Sequence, residues 1–188
     1  MATLNINTTA SDCGADSGGG YSDTATLIEI GSNTVGGQTC RAWFPFLVAL
    51  GNAQVITSAT LKVRAAWHGS NTTCKVKVGC EAADNPSKPT TKTDLYNRVL
   101  STAYTTNNNV AAWTAGNEYT FDITTAVQEI LNRAGWANGN TLAVLFQDNG
   151  STADASRSIA SYENASYAEA KLDIVYTLPS GGNHFWWG

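Results

Sequence analysis

Residues 56–67 read ITSATLKVRAAW, the clearest alternating stretch of the chain. Apolar residues occupy every second position from Leu61 to Trp67, and Lys62 and Arg64 lie between them. A period of two with one polar face indicates a half-buried antiparallel strand. The stretch therefore predicts a sheet that packs one face on a core and exposes the other.

The same alternation recurs along the rest of the chain. We predict further strands near 4–7, 26–30, 42–50, 74–80, 119–123, 142–146, 157–162 and 172–176. Short strands at such spacing, separated by turn residues, predict an all-β antiparallel sandwich of the jelly-roll type. Between them, residues 82–110 carry two prolines and an Asn-Asn-Asn run, and are predicted to form a long surface crossover with one helical turn near 95–100.

One short helix is predicted over residues 125–133. Thr125 and Gln128 have the spacing of a capping box, in which each side chain satisfies a free amide at the start of a helix. Gly135 suits the C-terminal cap. A helix of this length covers one end of a sandwich rather than forming a layer.

Composition excludes several classes of function. The chain has 188 residues, a net charge of −4 and only 14% charged residues, so it lacks the basic stripe that nucleic acid requires. Its longest apolar run is too short to span a membrane, and its first residues do not resemble a secretory signal. We expect a sandwich domain over 1–178, with 1–20 as a candidate arm, and a flexible aromatic tail over 179–188.

A set of weak motifs occurs in a consistent order. They are Arg41-Ala42-Trp43-Phe44-Pro45-Phe46, Ile56-Thr57-Ser58-Ala59-Thr60-Leu61, Phe121-Asp122-Ile123-Thr124 with Val127-Gln128, Trp136-Ala137-Asn138-Gly139-Asn140, and Leu172-Asp173-Ile174-Val175-Tyr176. Together these motifs resemble the DNRLRE, or disaggregatase-related, jelly-roll modules over about three quarters of the chain. The resemblance implies a sandwich like those of carbohydrate-binding modules, which occur in extracellular surface proteins and in phage virions.

No catalytic apparatus is visible in the sequence. Neither of the two histidines has a context for activating a nucleophile, and no phosphate-binding glycine loop precedes a helix. Glu81, Glu129 and Glu163 are the acids from which a carboxylate pair for glycoside hydrolysis would be drawn, but their separation is not readable from sequence. We therefore predict no enzyme activity, no cofactor and no catalytic residues.

Metal binding has one weak candidate. Asp12, Asp16 and Asp23 lie in a loop rich in Gly and Ser, and such carboxylates either bind calcium or form ordinary Asx turns. We favour the turns, because the spacing is not that of an EF-hand. No metal site is predicted.

The four cysteines are at positions 13, 40, 74 and 80. Cys74 and Cys80 fall on one face of a strand and lie roughly 20 Å apart, too far to bond each other. We expect both to be reduced core residues. For Cys13 and Cys40 the sequence does not decide between a disulfide bond and two free thiols.

Aromatic residues supply the only candidate partner site. Most of the six tryptophans are expected to pack in the core or at its rim. The tail ends in His184-Phe185-Trp186-Trp187-Gly188 after a hinge-like Pro-Ser-Gly-Gly-Asn segment. We predict that His184, Phe185, Trp186 and Trp187 bind a partner, because buried aromatic anchors dominate protein interfaces.

These features favour a non-enzymatic structural protein of a virion or other extracellular assembly. We picture a capsid decoration, cement or fibre subunit that associates with itself or with another protein subunit through its termini. The alternative is a carbohydrate-binding module that attaches to a polysaccharide or a cell surface. An exposed row of aromatics on one sheet would favour that alternative.

Overall fold

A computed structural model describes residues 1–16, 18, 20–33, 38–52, 54–67 and 73–177. Within these residues the chain forms twelve strands and two short helices. In chain order these elements are β1 (Ala2–Asn7), β2 (Cys13–Asp16), β3 (Tyr21–Ser22), β4 (Leu27–Ser32), β5 (Thr39–Leu47), β6 (Val55–Arg64), β7 (Cys74–Glu81), α1 (Lys92–Asn97), β8 (Leu100–Val110), β9 (Glu118–Asp122), α2 (Thr124–Leu131), β10 (Thr141–Asp148), β11 (Ser156–Ala160) and β12 (Lys171–Thr177).

Two antiparallel sheets contain all twelve strands. The smaller sheet has the order β1-β12-β6-β9, and the larger has the order β11-β4-β5-β10-β7-β8 with β2 and β3 attached beside β5. Every described strand pair is antiparallel. The all-β sandwich predicted from the alternation is therefore confirmed.

Strand β6 shows why this sequence builds a sheet. Leu61 and Val63 point into the core and are completely buried. On the opposite face, Lys62 Nζ lies 2.5 Å from Asp173 Oδ2 of β12. Arg64 Nη2 lies 3.4 Å from Glu118 Oε2 of β9. The apolar positions thus hold the two sheets together, and the charged positions align neighbouring strands on the outer surface.

Aromatic side chains join the two sheets across the core. Phe121 of the smaller sheet packs edge-on against Phe146 of the larger one, with ring centroids 5.1 Å apart and an interplanar angle of 82°. Phe146 meets Phe44 of β5 in the same way at 6.2 Å. Such edge-to-face pairs add to the area that they bury.

Helix α2 lies where the predicted helix was placed, but its cap is different. Thr125 is exposed, and no side chain caps the helix at Ile123. Instead Thr124 Oγ1 accepts the backbone N–H of Ala59, and Gln128 Oε1 accepts that of Ile56. The capping-box prediction was wrong because tertiary bonds to β6 take the place of the local ones.

Residues 82–110 do not form the irregular crossover that was predicted. Their last eleven residues, Leu100–Val110, form β8, the longest described strand, which pairs with β7 along its length. The sequence of β8 gave little indication of a strand, because β8 is an edge strand rich in Thr and Asn, with no clear apolar face. The predicted helical turn begins earlier, as α1, with Thr91 accepting the N–H of Asp94 at its start.

Helix α1 covers part of the outer face of the larger sheet. Leu95 packs there with Trp43 and Leu145, and all three are almost fully buried. A second, smaller core therefore lies outside the sandwich. It explains why Trp43 is buried although it points away from the main core.

Candidate functional site

The partner site predicted at His184, Phe185, Trp186 and Trp187 lies outside the described residues. The structure does show where that segment begins. Strand β12 ends at Thr177, which pairs with Val55 at the start of β6.

The start of the chain lies beside the end of β12. Ala2 of β1 is opposite Tyr176 of β12. Met1 is 91% exposed, and Val55, which pairs with Thr177, is 62% exposed. The last described strand therefore ends beside the N-terminal strand, where the apolar side chains of Met1 and Val55 are exposed.

Strand β1 is an open edge of the smaller sheet. All six of its residues pair with β12 without a bulge, and its other edge has no described strand beside it. Leu4 and Ile6 contact the core but stay only half-buried, because the sheet ends there. The strand, Ala-Thr-Leu-Asn-Ile-Asn, contains no charge and no proline.

The other outermost strands carry the features that usually block edge pairing. Strand β8 has two irregularities in its register with β7. Strand β9 is five residues long and begins and ends with the acids Glu118 and Asp122. Strand β11 is equally short, and residues 65 and 66 partly cover its edge, because Ile159 bridges Ala65 and the carbonyl of Ser158 accepts the backbone N–H of Ala66 at 2.8 Å. Among the described edges longer than two residues, β1 is therefore the one that is regular, uncharged and free of proline.

A cleft of about 340 Å³ opens between β8 and β9, on the side of the sandwich opposite β1. Its floor is aromatic, because the indole of Trp113 stacks on the ring of Tyr119 with centroids 4.7 Å apart. Its remaining lining includes Asn107, Asn109, Glu118, Thr120 and Phe121. Four of the nine lining residues are Asn, Glu or Thr, so the cleft is more polar than most small-ligand sites, and the aromatic pair is the feature that it shares with them.

Hydrogen bonds hold the walls of this cleft. The hydroxyl of Tyr119 accepts the backbone N–H of Thr114 at 2.8 Å. The buried guanidinium of Arg157 donates to the carbonyls of Val110 and Ala111 at 2.6 and 2.7 Å. These bonds hold Val110, Ala111 and Tyr119, which line the cleft, in place.

The aspartates of the N-terminal loop do not converge. Asp16 Oδ1 accepts the backbone N–H of Gly18 at 2.8 Å, which is the predicted Asx turn. Asp23 pairs with Lys88 instead. Across the described ranges, no group of three or more His, Cys, Asp or Glu side chains is placed to hold a metal ion.

Asp12 has a different environment from the other two. It is 1% exposed, and its Oδ2 accepts the backbone N–H of Tyr162 at 2.9 Å. Burial, and then the charges of Glu163 and Glu169, raise its pKa to about 7. Sequence reasoning singled out Asp12 but missed its neighbours, because they lie some 150 residues further along the chain.

The three glutamates considered for catalysis have structural neighbours. Glu81 accepts bonds from Trp43 and Arg98 on the outer face of the larger sheet. Glu129 accepts the backbone N–H groups of Thr102 and Ala103. Glu163 belongs to the surroundings of Asp12. The carboxylates of Glu81 and Glu129 thus form hydrogen bonds that join helices and strands.

All four cysteines are free and buried. Burial raises the pKa of Cys13 and of Cys40 to about 12, and that of Cys74 to about 11. The expectation of reduced core residues at 74 and 80 is confirmed. Cys13 and Cys40, left open by the sequence, are thiols as well.

Three tryptophans pack as predicted. Trp43, Trp113 and Trp136 are each no more than 4% exposed. Trp67 was predicted to share the apolar face of Leu61 and Val63, and this prediction was wrong: β6 ends at Arg64, and Trp67 is 62% exposed. No described helix is long and apolar enough to cross a membrane.

No known protein-family model matches the chain, and no curated protein is similar to it in sequence.

Proposed function

We propose that this chain is a non-enzymatic structural subunit of a virion or another extracellular assembly. It associates through the sheet edge where its first strand and the end of its last strand lie together. The partner is a protein: another copy of the chain, or a capsid or fibre subunit.

One observation carries the proposal, the open edge of β1. An unpaired strand edge presents a row of free N–H and C=O groups that a strand from another chain can pair with. Proteins that stay monomeric usually block such an edge with charge, proline or a bulge, and β1 has none of these. Its half-buried Leu4 and Ile6 would gain burial from an added strand.

The test places charge on this edge. The double variant Thr3→Lys with Asn5→Lys changes two exposed side chains of β1. We expect it to remain folded and to lose association, because lysines on an edge strand oppose pairing with another strand. Molar mass by size-exclusion chromatography with light scattering measures the effect.

A matched control uses the edge strand of the other sheet. Thr106→Lys with Asn108→Lys introduces the same residue types at exposed positions of β8. This control is expected to keep the mass of the unmodified chain. An unmodified chain that is monomeric at all concentrations, or a β1 variant that associates as well as the control, contradicts the proposal.

A carbohydrate-binding function is the second candidate, and the cleft between β8 and β9 favours it. Sugars present apolar C–H faces and many hydroxyls. The aromatic floor at Trp113 and Tyr119 suits the faces, and the amides of Asn107 and Asn109 suit the hydroxyls. This support is weaker, because Trp113 is only 4% exposed and offers little free ring surface.

Affinity electrophoresis against a panel of soluble polysaccharides tests this second candidate. If the cleft binds a glycan, one polysaccharide retards the unmodified chain, and Asn107→Ala abolishes the retardation without changing the melting temperature. The control Thr106→Ala lies outside the lining of the cleft and keeps the retardation. Absence of retardation throughout the panel, or retardation that Asn107→Ala leaves unchanged, contradicts a glycan site in this cleft.

A further inference from the structure

Two connections between strands cross at one end of the sandwich. One joins β1 to β2 through residues 8–12, and the other joins β11 to β12 through residues 161–170. The backbone N–H of Thr8 donates to the carbonyl of Ala170 at 2.8 Å. The backbone N–H of Tyr162 donates to Asp12 Oδ2 at 2.9 Å. Residues 161–170 are therefore hydrogen-bonded near both of their ends to residues 8–12.

Two carboxylate oxygens at this crossing lack a partner. Asp12 Oδ1 and Glu163 Oε2 are both removed from solvent, and neither has a hydrogen-bond partner among the described residues. Only 1% of the surface of Asp12 is exposed. A buried polar atom left unpaired costs free energy, and a buried charge costs more, so such an atom in a folded protein calls for a partner.

The charges around these two oxygens raise the free-energy cost of burying them unpaired. Glu163 and Glu169 both act on Asp12 as like charges. Lys88 is near enough for Glu163 to affect it, but its Nζ lies 2.5 Å from Asp23 Oδ2. Lys88 is therefore already paired, and none of the described salt bridges includes the carboxylates of Asp12, Glu163 or Glu169.

We propose that Asp12 and Glu163 bind a calcium ion that fastens the 161–170 connection to residues 8–12. Calcium takes six to eight oxygen ligands, and it accepts backbone carbonyls and waters beside carboxylates. Asp12 and Glu163 would supply two of these ligands, and backbone carbonyls and waters would supply the rest, since the described residues contain no group of three or more His, Cys, Asp or Glu placed to hold a metal ion. A water molecule would satisfy the same oxygens but would leave their charges unpaired. The site does not depend on the proposed assembly function.

The experiment measures calcium binding and its effect on stability. Protein stripped with EDTA and dialysed is titrated with CaCl₂ by isothermal titration calorimetry, and its melting temperature is measured with and without 10 mM CaCl₂. We expect a Kd of about 0.1–1 mM, as in extracellular calcium modules. The melting temperature should rise by about 3–10 °C, because an ion that binds only the folded state stabilises it.

Isosteric variants locate the ion. Asp12→Asn and Glu163→Gln remove one charge each and keep the shape of the side chain. We expect each to weaken calcium binding at least tenfold and to abolish the rise in melting temperature. In EDTA, Asp12→Asn should melt no lower than the unmodified chain, because it removes an uncompensated buried charge. The matched controls Asp154→Asn and Glu118→Gln keep full binding.

Two results would overturn the proposal. The first is a melting temperature that calcium does not change. The second is an Asp12→Asn variant that binds calcium as well as the controls do.

Discussion

Glu81 of β7 accepts one hydrogen bond from Trp43 of β5 and one from Arg98, which follows α1. It lies at the end of β7 and is 5% exposed. Its Oε2 accepts the indole N–H of Trp43 at 2.7 Å, and its Oε1 accepts Arg98 Nη1 at 2.9 Å. Arg98 also holds Asp94 of α1. The small outer core under α1 therefore depends on one carboxylate.

Replacing Glu81 by Ala should destabilise the protein strongly. The change leaves the buried indole N–H of Trp43 and the guanidinium of Arg98 without this acceptor. Leaving the buried indole N–H unpaired costs about 1–3 kcal/mol, and the lost bond to Arg98 adds to this, although Arg98 keeps its pair with Asp94. Urea unfolding at fixed protein concentration measures the loss. Glu118→Ala is the control, because its exposed pair with Arg64 is worth less than about 1 kcal/mol. Equal losses for the two variants would contradict this account of Glu81.

The four thiols should be unreactive in the folded protein. They are buried, and burial raises the pKa of each above its usual value, so the reactive thiolate is scarce. A thiol reagent such as Ellman's reagent at pH 8 should detect none before denaturation and all four after it. A thiol that reacts at once in the folded chain, or fewer than four after denaturation without reductant, would contradict this arrangement.

At the scale of elements, α2 is held by bonds to its neighbours rather than by its own cap. Thr124 Oγ1 accepts the N–H of Ala59 at 2.9 Å and donates to Asp122 Oδ1 at 2.6 Å. Glu129, on the other side of the helix, accepts two backbone N–H groups of β8. The helix therefore connects β6 of one sheet to β8 of the other.

Two adjacent threonines distinguish this arrangement from a capping box. Thr124→Ala should cost about 1–3 kcal/mol, because it leaves the buried N–H of Ala59 unpaired. Thr125→Ala should change the free energy of unfolding by less than about 0.5 kcal/mol, because Thr125 is exposed and makes no cap. Denaturant unfolding of both variants gives the comparison. If Thr125→Ala lowered the free energy of unfolding more than Thr124→Ala does, this result would contradict the arrangement and support the predicted capping box.

The elements that the sequence predicts well are those with one apolar face. Strands β6 and β7 alternate clearly, because one side of each must be buried between the sheets. Strand β8 escaped prediction because an edge strand is held mainly by backbone bonds to one neighbour, which impose little on its side chains. Helix α1 was misplaced by a few residues, since its single buried Leu95 gives no periodic pattern.

Contacts between distant segments account for what the sequence left undetermined in the candidate sites. The sequence placed Asp12 with Asp16 and Asp23, which are near it in the chain, whereas the fold places it with Glu163. The cleft between β8 and β9 requires two strands from different sheets to meet, which local patterning does not encode. The open edge of β1 likewise follows from the strand order and not from the strand itself.

At the scale of the whole molecule, the last described strand of the sandwich, β12, ends at Thr177. Phe185, Trp186 and Trp187 follow this strand in sequence, and we propose them as aromatic anchors of the interface. Burying each is worth about 1.5–3 kcal/mol by area, before the cost of ordering the segment is subtracted. Ala2 of β1 lies opposite Tyr176, one residue before the end of β12.

The mass and melting temperature of the full chain and of a chain lacking residues 180–188 test the central claim most directly. Light scattering after size exclusion should show the full chain as an oligomer and the shortened chain at a lower mass. The two melting curves should nearly coincide when recorded under conditions in which both chains are monomeric. A monomeric full chain, or a shortened chain of unchanged mass that melts far lower, would contradict assembly through the termini.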